Sequence, residues 1–293
     1  MEIRMLKYFL TVAEEQNITQ AAKKLHITQP TLSRQIRDFE ESLQMTLFVR
    51  QNKKLYLTES GLFLKKRAEE ILTLNEKTEQ ELANYQQTIL NGQISIGCVE
   101  AESSHFLAEM LEEMIADHPQ VTFTIFSGTS NDIIEKLDKG LLDMAVLIEP
   151  APIEKYHKLI LPEKEIWGLL VSTEHFLTHR ETVSAEDVLG MPLICSSRKE
   201  VRTMFCSWGG FDEEALTIIG KYNLIFNVIS LVENKVGAAI AIKGAVAERK
   251  NKIKFLPFVP EMTTNCVLVW KKEGILSATV RTFIKKIEHA LKA

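Results

Sequence analysis

No apolar run in this chain approaches the ~20 residues of a membrane-spanning helix. The opening Met-Glu-Ile-Arg has neither the cationic nor the apolar part of a secretory leader. The expectation is a cytoplasmic protein with no membrane partner. Cysteine is scarce: Cys98, Cys195, Cys206 and Cys266 are scattered with no CxxC pair, which excludes a disulfide framework or zinc ribbon and suits reduced thiols. None of the seven histidines shows metal-ligand spacing. His175 and His179 lie four apart, but with no Glu between them in the zincin order and no Cys nearby. A glycine-rich phosphate loop and a nucleophile elbow are missing too, so no catalytic residue, metal or cofactor is expected. Positive charge is also short, with 35 Lys+Arg against 39 Asp+Glu and a net charge of -4, which argues against a binder of polyanions. Its placement reverses that argument. Residues 1 to 67 hold 12 Lys+Arg against 7 Asp+Glu, a balance of +5, and the remainder holds 23 against 32, or -9. A basic head on an acidic body confines the phosphate-attracting field to one end of the chain.

What is present begins at residues 18 to 37, which read as two short helices joined by a tight turn. Thr19 is expected to cap the first, with Ala22 and Leu25 inward. Thr28 is expected to cap the second, with Pro30 in the first turn where a missing amide hydrogen costs little. Leu32, Ile36, Phe39 and Leu43 then form one apolar stripe. The other face carries Gln29, Thr31, Ser33, Arg34 and Arg37, side chains that reach base edges and phosphates when such a helix enters a major groove. Upstream, Leu6, Phe9, Leu10 and Ala13 mark a third helix. Downstream, Leu47 to Arg50, Gln51 to Lys54 and Leu55 to Thr58 read as strand, basic turn and strand. That is a wing, placing Arg50, Lys53 and Lys54 along a phosphate backbone. The assignment is Gln29, Ser33 and Arg34 on base edges, Pro30 on a thymine methyl, and Thr31, Arg37, Arg50, Lys53 and Lys54 on phosphates. A plain helical hairpin with a solvated face is the alternative, and it accounts for neither the third helix nor the wing.

Leu6 to Ala13, Ala21-Ala22 with Leu25, Thr28-Gln29-Pro30 with Leu32-Ser33, Leu47-Phe48-Val49-Arg50 and Leu57-Thr58-Glu59-Ser60-Gly61 together resemble the amino-terminal domain of LysR-type transcriptional regulators. The resemblance implies an α/β chain with an all-α-type winged helix-turn-helix head (1–58), a dimerisation linker helix (59–90) and an effector-binding domain (91–293). That domain would have two Rossmann-like lobes, 91–161 with 268–293 and 162–267, similar to periplasmic solute-binding proteins. Implied partners are double-stranded operator DNA, a small-molecule effector and a second subunit in a homodimer or homotetramer. RNA polymerase is a further candidate.

After Thr58 a proline-free helix is expected. Leu64, Ala68, Ile71, Asn75, Thr78, Leu82, Tyr85 and Ile89 follow steps of four and three, a coiled-coil seam. The alternative is a helix packed on its own domain. In an antiparallel dimer, the arrangement the resemblance implies, Leu64 would pair with Ile89, Ala68 with Tyr85, Ile71 with Leu82, and Asn75 with Thr78.

From residue 91 the texture is that of a parallel sheet. Strands are expected at 94–99, 121–126 and 144–148, with helices near 104–117 and 130–139. A second set has strands near 165–171, 192–195, 216–219, 238–242 and 253–256, and helices near 199–208, 223–236 and 243–249. A strand at 266–270 and a helix near 277–291 close the chain. Ligands of such sheets sit beyond strand carboxyl ends. The resemblance places Glu100, Ala101, Glu102, Ser103 and Ser104, then Ser127, Gly128, Thr129 and Ser130, then Ser196, Ser197, Arg198 and Arg202 at the effector cleft, with Asn223 a weaker candidate. Hydroxyls, amides and Arg favour a carboxylated or phosphorylated metabolite. Ala101 departs from the small hydroxyl residue many members carry there, and Glu100 and Glu102 add negative charge, so a cationic or zwitterionic effector stays open. Cys195 and Cys206 lie roughly where peroxide-sensing members keep a redox pair, with Arg198 and Arg202 between them, yet their spacing and flanks match poorly. A solute receptor or metabolic enzyme on the same two-lobed domain is the competing function, and neither needs a basic winged head.

Overall fold

Spacings of three and four set Met5, Leu6, Phe9 and Val12 on the buried side of α1 (Ile3–Glu15). The computed structural model describes residues 1–52, 54–84, 90–246 and 252–292, and the chain divides into two compact units, 1–87 and 88–293. In the first unit α2 (Ile18–Lys24) is capped by Asn17, whose Oδ1 accepts from the amides of Thr19 and Gln20 at 2.9 and 3.1 Å. This corrects the expected Thr19 cap. Asn caps at least as well as Thr, and here it stands just before the first helical residue. Thr28 caps α3 (Gln29–Leu43) as expected, accepting from the Thr31 amide at 3.4 Å, with Pro30 in the first turn. Leu32, Ile36 and Phe39 are buried and Leu43 is half-buried.

The wing is β1 (Phe48–Gln51) antiparallel to β2 (Lys54–Leu57), with Phe48 opposite Leu57. Glu40 ties α3 to it: its Oε1 accepts from the amides of Leu47 and Phe48 at 2.6 and 3.1 Å. Thr58 caps α4 (Glu59–Asn84) through the Gly61 amide at 3.0 Å. A Cβ on Gly61 would lie 2.3 Å from the Leu47 carbonyl oxygen, so glycine permits that close approach. The first turns of α4 pack on the head's own core. Ala68 is fully buried there, flanked by half-buried Leu64 and Ile71. This corrects the seam: Ala68 is consumed inside one subunit and has no surface for a partner's Tyr85. Tyr85 and Ile89 lie outside the described residues. Of the seam beyond the head, Asn75 is half-buried, and Thr78 and Leu82 are exposed.

The second unit opens with β3 (Gly92–Cys98), α5 (Ser104–Asp117), β4 (Val121–Ser127), α6 (Ser130–Asp138) and β5 (Met144–Ile148). β3 lies parallel between β4 and β5. There follow β6 (Tyr156–Ser172), α7 (Ala185–Val188), β7 (Pro192–Ser196), α8 (Lys199–Gly209), β8 (Thr217–Tyr222), α9 (Phe226–Glu233), β9 (Ala238–Ile242), β10 (Ile253–Pro257), β11 (Thr263–Lys271) and α10 (Ala278–Ala290). The strand order is β4-β3-β5-β11-β6-β9-β7-β8, with β10 on β6. Apolar runs such as Ala145 to Leu147 and Ala238 to Ile240 are buried on both faces, as expected of central strands, each with one parallel and one antiparallel neighbour.

Two lobes arise because β6 serves both. Its first part pairs antiparallel with β11, and from Trp167 onward it pairs with β9 and β10. The strand starts at Tyr156, well before the expected 165, because Pro162-Glu163-Lys164 reads as a break although the chain stays extended through it. The expected helix at 223–236 is confined to α9. Of that at 243–249, only a short 3-10 turn at Lys243–Ala245 falls on described helical residues, and 247–251 lie outside the description. Among the described residues no helix is long and apolar enough to cross a membrane.

Candidate functional site

In the head, burying Leu32, Ile36 and Phe39 turns the rest of α3 outward. Gln29, Pro30, Thr31, Arg34 and Arg37 are exposed, and Ser33 is half-buried. The Thr31 hydroxyl shares a 2.8 Å hydrogen bond with that of Thr28. Arg34 and Arg37 rest on Asp38 and Glu41, one turn on, at 3.7 and 3.9 Å. Such exposed pairs are worth a few tenths of a kcal/mol and exchange readily for a phosphate. Arg50 and Lys54 are exposed on the wing strands; Lys53 lies outside the described residues.

In the second unit the strand ends converge on a cleft between the lobes, with a cavity of about 80 Å³. A single water needs about 10–15 Å³ on the same scale, so the space suits a small metabolite. Of the expected effector residues, Glu100, Gly128, Thr129, Ser130, Ser196 and Arg198 line it, with Asn223. The others do not. Ala101 is buried in the core. The amides of Glu102 and Ser103 donate to Glu165 Oε1 at 2.8 and 3.4 Å, which fastens the start of α5. Ser197 is exposed, its amide held by the Tyr222 carbonyl at 2.7 Å. Arg202 pairs with Glu213 at 2.9 Å and donates to the carbonyls of Ser196 and Ser197 at 3.1 and 2.8 Å, bracing the end of β7. Tyr222, Trp167 and Ile225 were missed. Tyr222 ends a parallel strand, and the strand-end rule alone would have found it; Trp167 carries no such signal.

The cleft's polar groups are unevenly satisfied. Thr129 caps α6 in a box with Asp132: its hydroxyl donates to Asp132 Oδ2 at 2.6 Å and accepts from the Asp132 amide at 3.3 Å. Ser130 is 2% exposed, and its Oγ has no partner among the described residues. Glu100 Oε2 accepts from the Ile225 amide at 3.2 Å, linking the lobes. Arg198 links them again by donating to the Pro150 carbonyl, and burial lowers its pKa. The Tyr222 hydroxyl donates to the Ile240 carbonyl at 2.6 Å; burial foremost, then Cys195 and Glu100, raises its pKa.

The thiols are held in the protonated form. Burial pushes Cys195 up to about 12, and Cys206 is raised by burial and by Glu213. The nearby Arg202 cation is already neutralised by Glu213.

Residues 88–292 match the family model described as LysR substrate binding domain, and residues 3–62 match that of the bacterial regulatory helix-turn-helix protein, lysR family. The DNA-binding transcriptional dual regulator OxyR of Escherichia coli (strain K12) is 25% identical over 302 residues, covering 100% of this chain and 95% of the relative. The HTH-type transcriptional regulator BsdA of Bacillus subtilis (strain 168) is 33% identical over 202 residues, 66% of each. Among solved structures, CbnR, a LysR family transcriptional regulator, superposes with a TM-score of 0.78 at 20% identity, covering 100% of both chains. The same protein complexed with its target DNA gives 0.77, covering 99% of this chain and 100% of that one. The helix-turn-helix with its wing and the two-lobed sheet are thus matched along almost the whole length, and the chain belongs to the LysR family of DNA-binding transcriptional regulators.

Proposed function

We propose that α3 and the wing read an operator in the cytoplasm and that a small molecule seated between the lobes governs the outcome. The observation that carries this is the division of α3: its apolar residues are buried and its base-reaching residues exposed. Gln29, Ser33 and Arg34 are assigned to base edges, Pro30 to a thymine methyl, and Thr31, Arg37, Arg50, Lys53 and Lys54 to phosphates. The lobes are taken as 91–161 with 268–293 and 162–267, and the second subunit is taken to dock on the exposed part of α4. No side chain is assigned a catalytic role, and the relatives are regulators rather than enzymes.

Gel-shift titration with the gene's own upstream DNA tests the reading. Arg34→Ala should cost about 1–3 kcal/mol and relax preference at one base pair, whereas Arg50→Ala should weaken all sequences alike. Unaltered binding by the double variant would sink it. For the cleft, the useful substitution is Arg198→Gln rather than any change at Thr129, whose hydroxyl is committed to the α6 cap.

A further inference from the structure

Among the described residues lining the cleft there is one carboxylate, Glu100, and one guanidinium, Arg198. Each is short of a partner. Arg198 gives one hydrogen bond to the Pro150 carbonyl, and no carboxylate among the described residues pairs with its guanidinium. A half-buried cation in that state has lost hydration without a hydrogen-bonded counter-ion; burial lowers its pKa, and the charge of Glu200 only partly offsets this. Glu100 spends Oε2 on the Ile225 amide at the start of α9, and its Oε1 has no partner among the described residues. The third incomplete group is the buried Ser130 Oγ, in the first turn of α6, where helix dipole and amides favour an anion.

We propose that the effector is a free α-amino acid, its carboxylate taken by Arg198 and Ser130 and its ammonium by Glu100. The assignment rests on the reading of this cleft as the effector site. It follows from charge matching. A dicarboxylate would set a second anion against Glu100, and an amine without a carboxylate would leave Arg198 desolvated and unpaired. Glu100 already occupies the start of α9, so a single ligand carboxylate is what the remaining groups can use. Ile148, Trp167 and Val201 supply an apolar wall, and the small cavity favours a short apolar side chain.

Full-length protein is titrated by thermal shift and calorimetry with the proteinogenic L-amino acids, each beside its desamino carboxylate and decarboxylated amine (for alanine, propionate and ethylamine). Wild type is compared with Glu100→Gln, Arg198→Gln and Ala245→Phe, the last filling the cleft. Unliganded melting and operator binding confirm that each variant folds. At least one amino acid should bind wild type roughly tenfold or more tighter than either truncated counterpart. Glu100→Gln should erase its advantage over the carboxylate, Arg198→Gln its advantage over the amine, and Ala245→Phe should abolish binding. A carboxylate that binds wild type as well as its amino acid, or the absence of binding by every amino acid, overturns the assignment. If a carboxylate binds and Ala245→Phe blocks it, the cleft stands as effector site without the zwitterion. If Ala245→Phe leaves binding unchanged, the site is elsewhere and the cleft reading fails as well.

Discussion

Glu165 is 1% exposed, with Oε1 accepting from two amides at the start of α5 and from Cys266 Sγ at 3.5 Å, and with Oε2 unpartnered among the described residues. Burial outweighs those bonds and raises its pKa above the usual 4.5. A raised acid holds its proton in the folded state after the unfolded chain has released it, so its contribution falls as pH rises from the ordinary carboxylate value through the raised one. Glu165→Gln keeps an acceptor for the amides and cannot ionise. Its melting temperature should therefore decline less than wild type between acid and neutral pH; a steeper decline in the variant would contradict the account. The thiols give a second prediction at this scale. Because the thiolate is the nucleophile, the raised pKa values of Cys195 and Cys206 should make them slow toward hydrogen peroxide. Operator affinity should be unchanged by peroxide, and a Cys195–Cys206 disulfide found by mass spectrometry after brief exposure would refute this.

Among elements, α4 does two jobs in succession. Its first turns complete the head, so Ala68→Leu should overpack that core by about 1–3 kcal/mol and lower operator affinity and head melting together. Its later turns present Asn75, Thr78 and Leu82. In a cysteine-free background, Asn75→Cys mixed with Thr78→Cys should form the heterodimeric disulfide of an antiparallel pair, whereas efficient self-crosslinking of either alone would favour a parallel one. The seam's periodicity was visible in sequence. Which helix would fill it was not, because a spacing of three and four says that a stripe is buried without naming the neighbour. β5 and β9 were legible to the residue, being unbroken apolar runs between turn residues. The early part of β6 was hidden because His157, Lys158, Pro162, Glu163 and Lys164 are exposed there, leaving no burial pattern to read.

For the whole molecule, the charge division makes DNA binding strongly salt-dependent, with the observed constant falling by about 0.9 log unit per log unit of salt for each phosphate neutralised. Lys54→Ala should reduce that slope by about one per subunit on the DNA, with base preference intact; an unchanged slope would remove Lys54 from the backbone contacts. The acidic residues of the body should leave the slope untouched. The cleft's location was readable from strand ends, and Glu100, Thr129, Ser130 and Arg198 do line it. Ala101, Glu102, Ser103, Ser197 and Arg202 do not, since facing a cleft depends on where strand and helix meet at each corner, which residue order alone leaves open.

β6 gives the two lobes one continuous beam. Trp167 sits on it where pairing passes from β11 to β9, its amide bonded to the Met262 carbonyl at 2.9 Å and its indole to Thr264 Oγ1 at 3.0 Å. A swing about a loose joint would have to break ladder bonds worth about 1 kcal/mol apiece. Closure on a ligand is then expected to be a small, reversible torsion of this strand, eased where its pairing with β11 shifts register between Asn265 and Val267. Hydrogen exchange should show the amides from Ile166 to Leu170 among the slowest of the second unit, equally so with the cleft filled or empty.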